Sequence, residues 1–198
     1  MGKFRIGLMG AGNIAGTMAA TVNGMKGITL YAVASRTEEK AEAFAKKYGV
    51  KKAYGSYEAM LRDDRVDLVY IATPHSEHRD NAMLCIKFKK PVLCEKAFTA
   101  KEVLQYAEKE NVFITEAIWT RYMPMVDMIK EVLSRGMIGR PMFLSANLSY
   151  ELEHVQRLGD PALAGGSLLD LGVYPINFAS VFFGTNIAKV SSFCTYTE

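Results

Sequence analysis

Near the N-terminus, an alternating apolar segment runs directly into a glycine-rich turn and then into a helical pattern. Phe4, Ile6 and Leu8 alternate as in a β-strand, and the apolar positions of residues 13–25 recur at helical spacing. Between them, residues 10–15 read Gly-Ala-Gly-Asn-Ile-Ala, a G-x-G-x-x-A pattern. Such glycines let backbone amides and a helix N-terminus approach a pyrophosphate, although they also serve tight turns that bind nothing. The turn predicts a dinucleotide site only if the following sequence continues the alternation of strand and helix.

That alternation continues to residue 119. The predicted strands cover residues 4–8, 28–34, 66–72, 91–95 and 112–119, and the predicted helices cover 13–25, 37–48, 56–62, 76–88 and 99–109. Short connections and nearly continuous apolar strands are typical of a parallel doubly wound sheet, whose ligands lie beyond the carboxyl ends of its strands. We therefore predict an α/β fold with a Rossmann dinucleotide-binding domain over residues 1–120.

The pattern changes after residue 120. A helix is predicted over 122–135, a long strand over 142–150, a loop rich in glycine, proline and alanine over 159–166, a helix over 167–183 and a last strand from Ala188. We interpret residues 121–198 as the N-terminal part of an α+β domain with a mostly antiparallel sheet. Because two strands leave a sheet face and an edge uncovered, we expect this domain to be incomplete.

Composition and charge argue against several classes of protein. Cys85, Cys94 and Cys194 are odd in number and form no C-x-x-C pair, which favours reduced core thiols over a disulfide framework. The formal net charge of +3 is spread along the chain among acidic residues, so no nucleic-acid partner is predicted. No apolar run approaches the roughly twenty residues of a membrane span, and no signal-peptide pattern is present. We expect no membrane partner and a cytoplasmic location.

The end of the second predicted strand bears on the choice between NAD and NADP. In a dinucleotide site an acidic residue there binds the free ribose 2′-hydroxyl, whereas an arginine accommodates a 2′-phosphate. This strand ends in Ser35-Arg36. In isolation Arg36 is equally well an ordinary solvated residue, because arginines are mostly exposed. In register with the glycine turn, it favours NADP over NAD.

Three residues are candidates for proton transfer. Lys96 follows the buried strand 91–95, where substrate would meet cofactor, although a lysine after a strand is usually just exposed. Asp170 and Tyr174 are four residues apart in a helical segment, hence on one face. A tyrosine titrates near roughly pH 10, so a phenol that acts as a base near neutrality needs a nearby cation, and Lys96 is the candidate. Alternatively, Asp170 caps a helix and Tyr174 fills the core.

Other polar and aromatic residues stand where strands end. His75 and His78 are three residues apart, but no third ligand with suitable spacing accompanies them, so no metal site is predicted. His78 is instead expected to line the cofactor pocket. Trp119 ends a predicted strand and, with Arg121, is expected to shape a substrate pocket.

Six strings of residues, taken together, resemble the glucose-fructose oxidoreductase and inositol dehydrogenase (Gfo/Idh/MocA) family in order and spacing. They are Gly10-Ala-Gly-Asn-Ile-Ala15, Ala34-Ser-Arg36, Ala72-Thr-Pro-His-Ser-Glu-His78, Cys94-Glu-Lys96, Glu116-Ala-Ile-Trp-Thr-Arg121 and Gly165-Gly-Ser-Leu-Leu-Asp-Leu-Gly-Val-Tyr174. The Glu-Ala-x-Trp-Thr-Arg string and the tyrosine at 174 are similar to the branch that contains dimeric dihydrodiol dehydrogenase and NADP-linked xylose dehydrogenases. The chain departs from the family at Ala97, where proline usually follows Glu-Lys.

The resemblance implies a function and a role for each site residue. The function is NADP-dependent hydride transfer between nicotinamide C4 and a carbinol carbon of a diol, sugar or related polyol. The implied cofactor site comprises Gly10, Gly12, Asn13 and Ile14 at the pyrophosphate, Ser35 and Arg36 at the 2′-phosphate, and Thr73, Pro74, His78, Glu95 and Lys96 at the nicotinamide. The implied catalytic pair is Lys96 and Tyr174, with Asp170 as a positioning group and Trp119 and Arg121 as a substrate wall.

The resemblance also bears on length and assembly. Family members run to roughly twice a typical domain of 100 to 150 residues, and their C-terminal sheet supports the substrate site and forms a dimer face. We therefore expect this sequence to be part of a longer protein that forms a homo-oligomer through that sheet. A second hypothesis is a non-catalytic NADP-binding sensor or interaction module, which would bind the cofactor without turning over any polyol. The sequence leaves open which polyol is the substrate and in which direction the reaction runs.

Overall fold

The chain alternates strands and helices as far as residue 116 and contains helices and turns, without strands, in the described residues after it. The computed structural model describes residues 3–98, 101–152 and 154–194. Its strands are β1 (Phe4–Met9), β2 (Ile28–Ala34), β3 (Lys52–Tyr54), β4 (Leu68–Ile71), β5 (Val92–Cys94) and β6 (Ile114–Glu116). Its helices are α1 (Asn13–Asn23), α2 (Glu38–Tyr48), α3 (Tyr57–Leu61), α4 (His78–Lys87), α5 (Lys101–Lys109), α6 (Pro124–Ser134), α7 (Gln156–Gly159) and α8 (Val173–Phe183). Residues 99 and 100, where helix α5 was predicted to begin, lie outside the described residues.

The six strands form one parallel sheet in the order β3-β2-β1-β4-β5-β6. The chain winds outward from β1 in one direction through β2 and β3, and in the other through β4, β5 and β6. In a doubly wound sheet, ligands bind outside the carboxyl ends of the strands at the point where this direction reverses, here between β1 and β4. The predicted Rossmann-like α/β architecture is confirmed.

Apolar side chains cover both faces of the sheet. Met9 and Ile71 belong to one buried layer, against α3, α4 and α5, whereas Leu8 and Tyr70 belong to the other, against α1 and α2. Successive residues of a strand point to opposite faces, so a strand buried on both faces is apolar at nearly every position. This explains why the predicted strands were nearly continuous apolar runs, and it leaves their carboxyl ends as the place where polar residues collect.

Strand β3 was not predicted. It comprises only three residues, Lys52–Tyr54, and pairs with β2 from Ala32 to Ala34. Three residues are too few to display an alternating pattern, so only the neighbouring strand reveals that this segment is extended and paired.

The strands predicted over 142–150 and from Ala188 are wrong for the described residues. Residues 142–152 and 185–194 contain no strand, and the only sheet among the described residues is the parallel one. An extended segment becomes a strand only by pairing with a neighbour, and neither segment has such a neighbour in the described part of the chain. The predicted antiparallel sheet is therefore not present there.

The helix predicted over 167–183 is divided in two. A single π-helical turn covers Leu168–Gly172, and α8 follows it directly. Just before it, Ala164 and Gly166 both have positive φ, which bends the chain after a short 3₁₀ turn at Pro161–Leu163. π-Helical turns occur frequently at functional sites, and this one carries Asp170.

One stretch of the described residues is long and apolar enough to cross a membrane by length and composition alone. It is Pro161–Phe183, and most of its residues are half-buried. The expectation that no apolar run reaches this length is therefore wrong by this measure. The stretch bends at Ala164 and Gly166, and its Asp170 is held by Lys96 from the end of β5. These contacts attach it to the Rossmann-like domain.

Candidate active site

The turn between β1 and α1 leaves the N-terminus of α1 open. Gly10 has a φ of +104°, and a Cβ at this position would lie 3.0 Å from the carbonyl oxygen of Ala72. A Cβ on Gly12, the N-cap of α1, would meet no atom within 4 Å. The first turn of α1 contains no acidic residue, so no carboxylate offsets the positive end of the helix dipole. The turn thus fits an anionic pyrophosphate.

A cavity of about 670 Å³ extends from this turn to the carboxyl ends of β4 and β5. This volume lies in the range of about 300–1,000 Å³ that is usual for small-molecule sites. The cavity is lined by Gly12, Asn13, Ile14 and Thr17, by Ala72, Thr73, Pro74 and His75 after β4, by Glu95 and Lys96 after β5, and by Val155, Arg157, Asp170 and Tyr174. The fold therefore brings most of the predicted site residues to one cavity.

Lys96 and Asp170 form the central contact of this cavity. The Lys96 Nζ donates to Asp170 Oδ1 at 2.7 Å and to the Asp170 backbone carbonyl at 2.8 Å. Arg157 Nη2 donates to the same Oδ1 at 3.1 Å. Burial raises the pKa of the Asp170 carboxyl, but the hydrogen bonds and charges of Lys96 and Arg157 outweigh it, and the pKa lies below its ordinary value. Asp170 is therefore an anion that holds two cations.

The side chain of Tyr174 lies beside this pair. The Lys96 Nζ stands 5.3 Å from the centroid of the Tyr174 ring, and Trp119 Nε1 donates to the Tyr174 hydroxyl at 3.3 Å. The pKa of Tyr174 is not lowered, as the action of a phenol as a base near neutrality would require. Burial, together with the charges of Glu95, Asp170 and Glu116, outweighs the Trp119 hydrogen bond and raises the pKa of the phenol above its ordinary value. At neutral pH this hydroxyl is a proton donor.

Two histidines support the rim of the cavity. His75 lines it, and its Nδ1 lies 3.2 Å from the carbonyl oxygen of Ala164. Burial, outweighing that contact, lowers the pKa of His75. His78, predicted to line the cofactor pocket, is 2% exposed and is not part of the lining of this cavity. Its Nε2 and Nδ1 lie 2.8 Å and 3.1 Å from the carbonyl oxygens of Thr73 and Ala97, so it connects the two loops that form the cavity wall.

The loop after Lys96 is held from β6. Glu116 Oε1 accepts a hydrogen bond from the backbone amide of Phe98 at 2.7 Å. Burial raises the pKa of Glu116, although this hydrogen bond opposes the shift. The peptide bond between Lys96 and Ala97 is cis.

A second cavity of about 590 Å³ lies at the carboxyl end of β2. Arg36 lines it together with Glu38, Glu39 and Tyr54. Ser35 is 7% exposed, and its backbone amide donates to the carbonyl of Tyr54 at 3.1 Å. The two glutamates occupy the first turn of α2, where carboxylates favour the helix dipole. Arg36 thus lies in the wall of an open cavity at the carboxyl end of β2.

A third cavity, of about 540 Å³, lies on the other side of Tyr174. Its wall includes four aromatic residues, Trp119, Tyr150, Tyr174 and Phe178. The Trp119 and Tyr174 rings meet edge to face with centroids 6.2 Å apart. Arg121, the other predicted wall residue, donates to Asn177 Oδ1 at 3.4 Å and does not line this cavity.

Sequence reasoning missed three residues that shape the site. Arg157 lies between the strand predicted over 142–150 and the loop predicted over 159–166, where no element was predicted. Tyr70 lies within an apolar strand, and Glu116 belongs to a sequence string to which it contributed no predicted role. The sequence did contain a signal for Tyr70, because this residue lies two positions before the end of the predicted strand 66–72, close to the sheet edge where ligands bind. Nothing local marked Arg157, because its contact with Asp170 depends on how residues 155–166 fold back over the sheet.

Comparisons with known proteins agree with this architecture. The family model "Oxidoreductase family, NAD-binding Rossmann fold" (GFO/IDH/MocA) matches residues 4–117, and "GFO/IDH/MocA C-terminal domain" matches residues 126–198. The chain belongs to the Gfo/Idh/MocA oxidoreductase family. The resemblance seen in the six sequence strings is thereby confirmed, whereas the division of this family member at residue 120 stays a prediction.

Curated relatives of this family member are dehydrogenases. A trans-1,2-dihydrobenzene-1,2-diol dehydrogenase from Mus musculus is 39% identical over 187 residues, which are 91% of this chain and 56% of that protein. The protein of the same name from Homo sapiens is 41% identical over 158 residues, covering 77% of this chain and 47% of that protein. This chain thus spans about half the length of these relatives.

Solved structures with the same fold include proteins that bind either nicotinamide cofactor. An NAD-binding oxidoreductase from Klebsiella pneumoniae has a TM-score of 0.77 and 28% identity, with 92% of this chain and 54% of that chain covered. A 3-ketoreductase from Actinomadura kijaniata, crystallised with NADP and TDP-benzene, has a TM-score of 0.79 and 27% identity, with 92% and 58% covered. Proteins with this fold thus include binders of both cofactors.

Proposed function

We propose that this family member is an NADP-dependent dehydrogenase that transfers a hydride between nicotinamide C4 and a carbinol carbon of a cyclic diol, sugar or related polyol. One observation carries the proposal: Lys96, Asp170 and Tyr174 meet in the same cavity as the open glycine turn of α1. The curated relatives named trans-1,2-dihydrobenzene-1,2-diol dehydrogenase support a trans-diol on a six-membered ring as the first substrate to test.

The cofactor site is proposed from the residues that fit it. The N-terminus of α1 with Gly12 would hold the pyrophosphate, and Thr73, Pro74 and Glu95 would surround the nicotinamide end. When bound, the nicotinamide supplies or accepts the hydride. The protein then has two tasks, which are to place the substrate oxygen and to move its proton.

Tyr174 moves the proton, and Lys96 holds the substrate oxygen. The protonated phenol of Tyr174 donates its proton to the substrate oxygen when a ketone is reduced, and takes one back when an alcohol is oxidised. The Lys96 ammonium, fixed by Asp170, provides a positive charge beside that oxygen and stabilises the alkoxide that develops on it. Trp119 orients the phenol through its indole N–H.

The preference for NADP rests on Arg36. An arginine at the end of the second strand accommodates a 2′-phosphate, whereas an acidic residue would bind a free 2′-hydroxyl. Glu38 and Glu39 line the same cavity, so the choice has to be measured. Fluorescence titration with NADPH and NADH should give tighter NADPH binding.

Arg36→Ala should weaken NADPH binding by about tenfold or more, which is the loss of one charge-assisted hydrogen bond, and leave NADH binding unchanged. Arg135→Ala, on the exposed surface of α6, is the control.

Turnover is tested with a trans-dihydrodiol and NADP⁺ by following NADPH absorbance. Turnover that is abolished by Tyr174→Phe supports the proposal. NADPH binding without turnover of any diol or aldose, by the full-length protein as well as by this chain, would favour the non-catalytic sensor instead, and the absence of binding to a folded chain would exclude both. A cytoplasmic location and association through a C-terminal sheet stay predictions.

A further inference from the structure

A buried phenol holds one carboxylate of the candidate site. Tyr70 lies in β4, is 4% exposed, and donates its hydroxyl hydrogen to Glu95 Oε1. Burial and the charge of Glu95 raise the pKa of Tyr70 well above its ordinary value, so the phenol stays protonated and remains the donor.

The second oxygen of Glu95 is also occupied. Glu95 Oε2 accepts a hydrogen bond from the backbone amide of Lys96 at 3.2 Å. Both oxygens are thus fixed, one by the neighbouring strand and one by the next residue, and the carboxylate stays at the wall of the cavity. A half-buried carboxylate keeps one orientation only when such donors satisfy it.

Glu95 differs from Asp170, the other carboxylate of this cavity. Asp170 shares its charge with Lys96 and Arg157, whereas Glu95 accepts only uncharged donors and forms no ion pair in the part of the chain that the structure describes. Its negative charge therefore acts on whatever occupies the cavity beside it.

The two redox forms of a nicotinamide differ in charge at the ring. The oxidised ring is a cation and the reduced ring is neutral, so a fixed carboxylate beside it attracts the oxidised form and has little effect on the reduced one. We propose that Tyr70 is a positioning residue that fixes Glu95 and thereby raises the affinity for NADP⁺ relative to NADPH. This inference rests on the proposed function, because it requires the nicotinamide to occupy this cavity.

The test compares dissociation constants for NADP⁺ and NADPH, measured by titration of the folded chain. In Tyr70→Phe, which keeps the ring and loses the donor, the ratio of the NADP⁺ to the NADPH constant should rise by about three- to tenfold, the effect of about 0.7–1.4 kcal/mol. Glu95→Gln should raise the ratio at least as much. The double variant should show no further rise, because both changes act through one carboxylate.

Tyr31→Phe is the matched control. Tyr31 is also buried and also donates to a carboxylate, Asp63 Oδ2 at 2.8 Å, but it lines a different cavity that shares no residue with the candidate site. Loss of the Tyr31 hydroxyl should lower the free energy of unfolding and leave the ratio of the NADP⁺ and NADPH dissociation constants unchanged.

Each outcome decides a separate point. An unchanged ratio in folded Tyr70→Phe, with normal cofactor binding by the wild type, overturns this inference alone. If Tyr70→Phe does not fold, an unchanged ratio in Glu95→Gln overturns it equally. Failure of the folded wild type to bind either form overturns the proposed function and this inference with it.

Discussion

At the scale of single residues, Asp170 determines how the candidate site is arranged. Its carboxylate joins Lys96, from the end of β5, to Arg157, from α7, and its side chain is 7% exposed. A buried ion pair that loses one member leaves an uncompensated charge. When Lys96 is removed, Arg157 still pairs with Asp170. A Lys96 variant can therefore fold, and its turnover can be measured.

We expect Lys96→Met to lower diol turnover by about a hundredfold or more, the usual size of an acid–base or charge-stabilising contribution. NADPH affinity should change by about threefold or less, a difference of less than 1 kcal/mol. Initial rates and titrations measure the two effects. Lys89→Met removes an exposed lysine paired with Glu110 and serves as the control. Unaltered turnover in Lys96→Met would exclude a catalytic role.

The raised pKa of Tyr174 predicts different pH dependences for the two directions of the reaction. Oxidation needs the ionised phenol, whose fraction grows about tenfold per pH unit below the pKa, so the oxidation rate should rise from pH 7 to pH 9. Reduction needs the protonated phenol and should stay level over that range. Tyr106→Phe, on α5, should keep both profiles. An oxidation rate that is flat with pH while chemistry is rate-limiting would contradict the assignment.

At the scale of elements, the two glycines before α1 have different roles, because Gly10 is needed for the backbone conformation and Gly12 leaves room for a ligand. Gly10 has a positive φ and a close carbonyl neighbour, whereas Gly12 is an N-cap in ordinary extended conformation with open space around it. A side chain at Gly10 is therefore strained whatever its chemistry, whereas one at Gly12 affects mainly the space that a phosphate would occupy.

Gly12→Asp should leave stability unchanged or raise it by up to about 1 kcal/mol, because aspartate is a good N-cap and favours the helix dipole. The same carboxylate should abolish NADPH binding by repelling the pyrophosphate. Gly12→Asn has nearly the same shape without the charge and should bind NADPH better than Gly12→Asp. Urea unfolding and NADPH titration measure the two properties. Normal binding by Gly12→Asp would place the cofactor elsewhere.

The loop that leads from α3 into β4 contains a second polar network, centred on Asp63. Asp63 accepts hydrogen bonds from the hydroxyls of Tyr31 and Tyr54 at 2.8 Å and 2.7 Å, and Arg65 pairs with it. Burial opposes ionisation of Asp63, but these bonds outweigh it and lower the pKa of the carboxyl far below its ordinary 3.8, while the pKa of Tyr54 rises to about 12. The ionised form of Asp63 thus stabilises the folded chain.

This network predicts how stability depends on pH. The unfolded chain binds a proton at Asp63 first as the pH falls, so the contribution is complete above about pH 5 and is lost progressively below it. Asp63→Asn should lower the free energy of unfolding at pH 7, and its deficit should shrink between pH 5 and pH 3. Asp64→Asn, at the exposed neighbouring position, should show no deficit. Urea unfolding at several pH values tests this, and a deficit independent of pH would contradict it.

At the scale of the whole molecule, the two parts of the chain differ in how they bury apolar side chains. The parallel sheet has a buried layer on each face, whereas many large apolar residues after residue 119 are exposed, among them Phe143, Val190 and Phe193 at 84%, 77% and 92%. Exposed apolar patches of this kind mark interaction surfaces or promote association. We expect sedimentation velocity to show an average mass that rises with protein concentration, and Phe143→Ser to reduce the rise. A monomer at every concentration would contradict this.

The sequence by itself determined the features that depend on local pattern. The glycine turn and the alternation of strands and helices, which the structure shows as far as residue 116, were predicted from pattern, whereas a shared site for Lys96, Asp170 and Tyr174 was implied by the family resemblance. Apolar periodicity reports directly which face of a strand or helix is buried, and glycine and helix-start signals lie within a few residues of the feature that they mark.

Only the tertiary structure decided which distant residues meet. Lys96 and Asp170 are 74 positions apart, and Arg157 joins them because residues 155–166 fold back over the sheet. The raised pKa of Tyr174, the contact between Tyr70 and Glu95, and the lack of a strand at 142–150 also depend on neighbours from elsewhere in the chain. Pairing, burial and charge are properties of the space around a residue, and strand order and packing set that space.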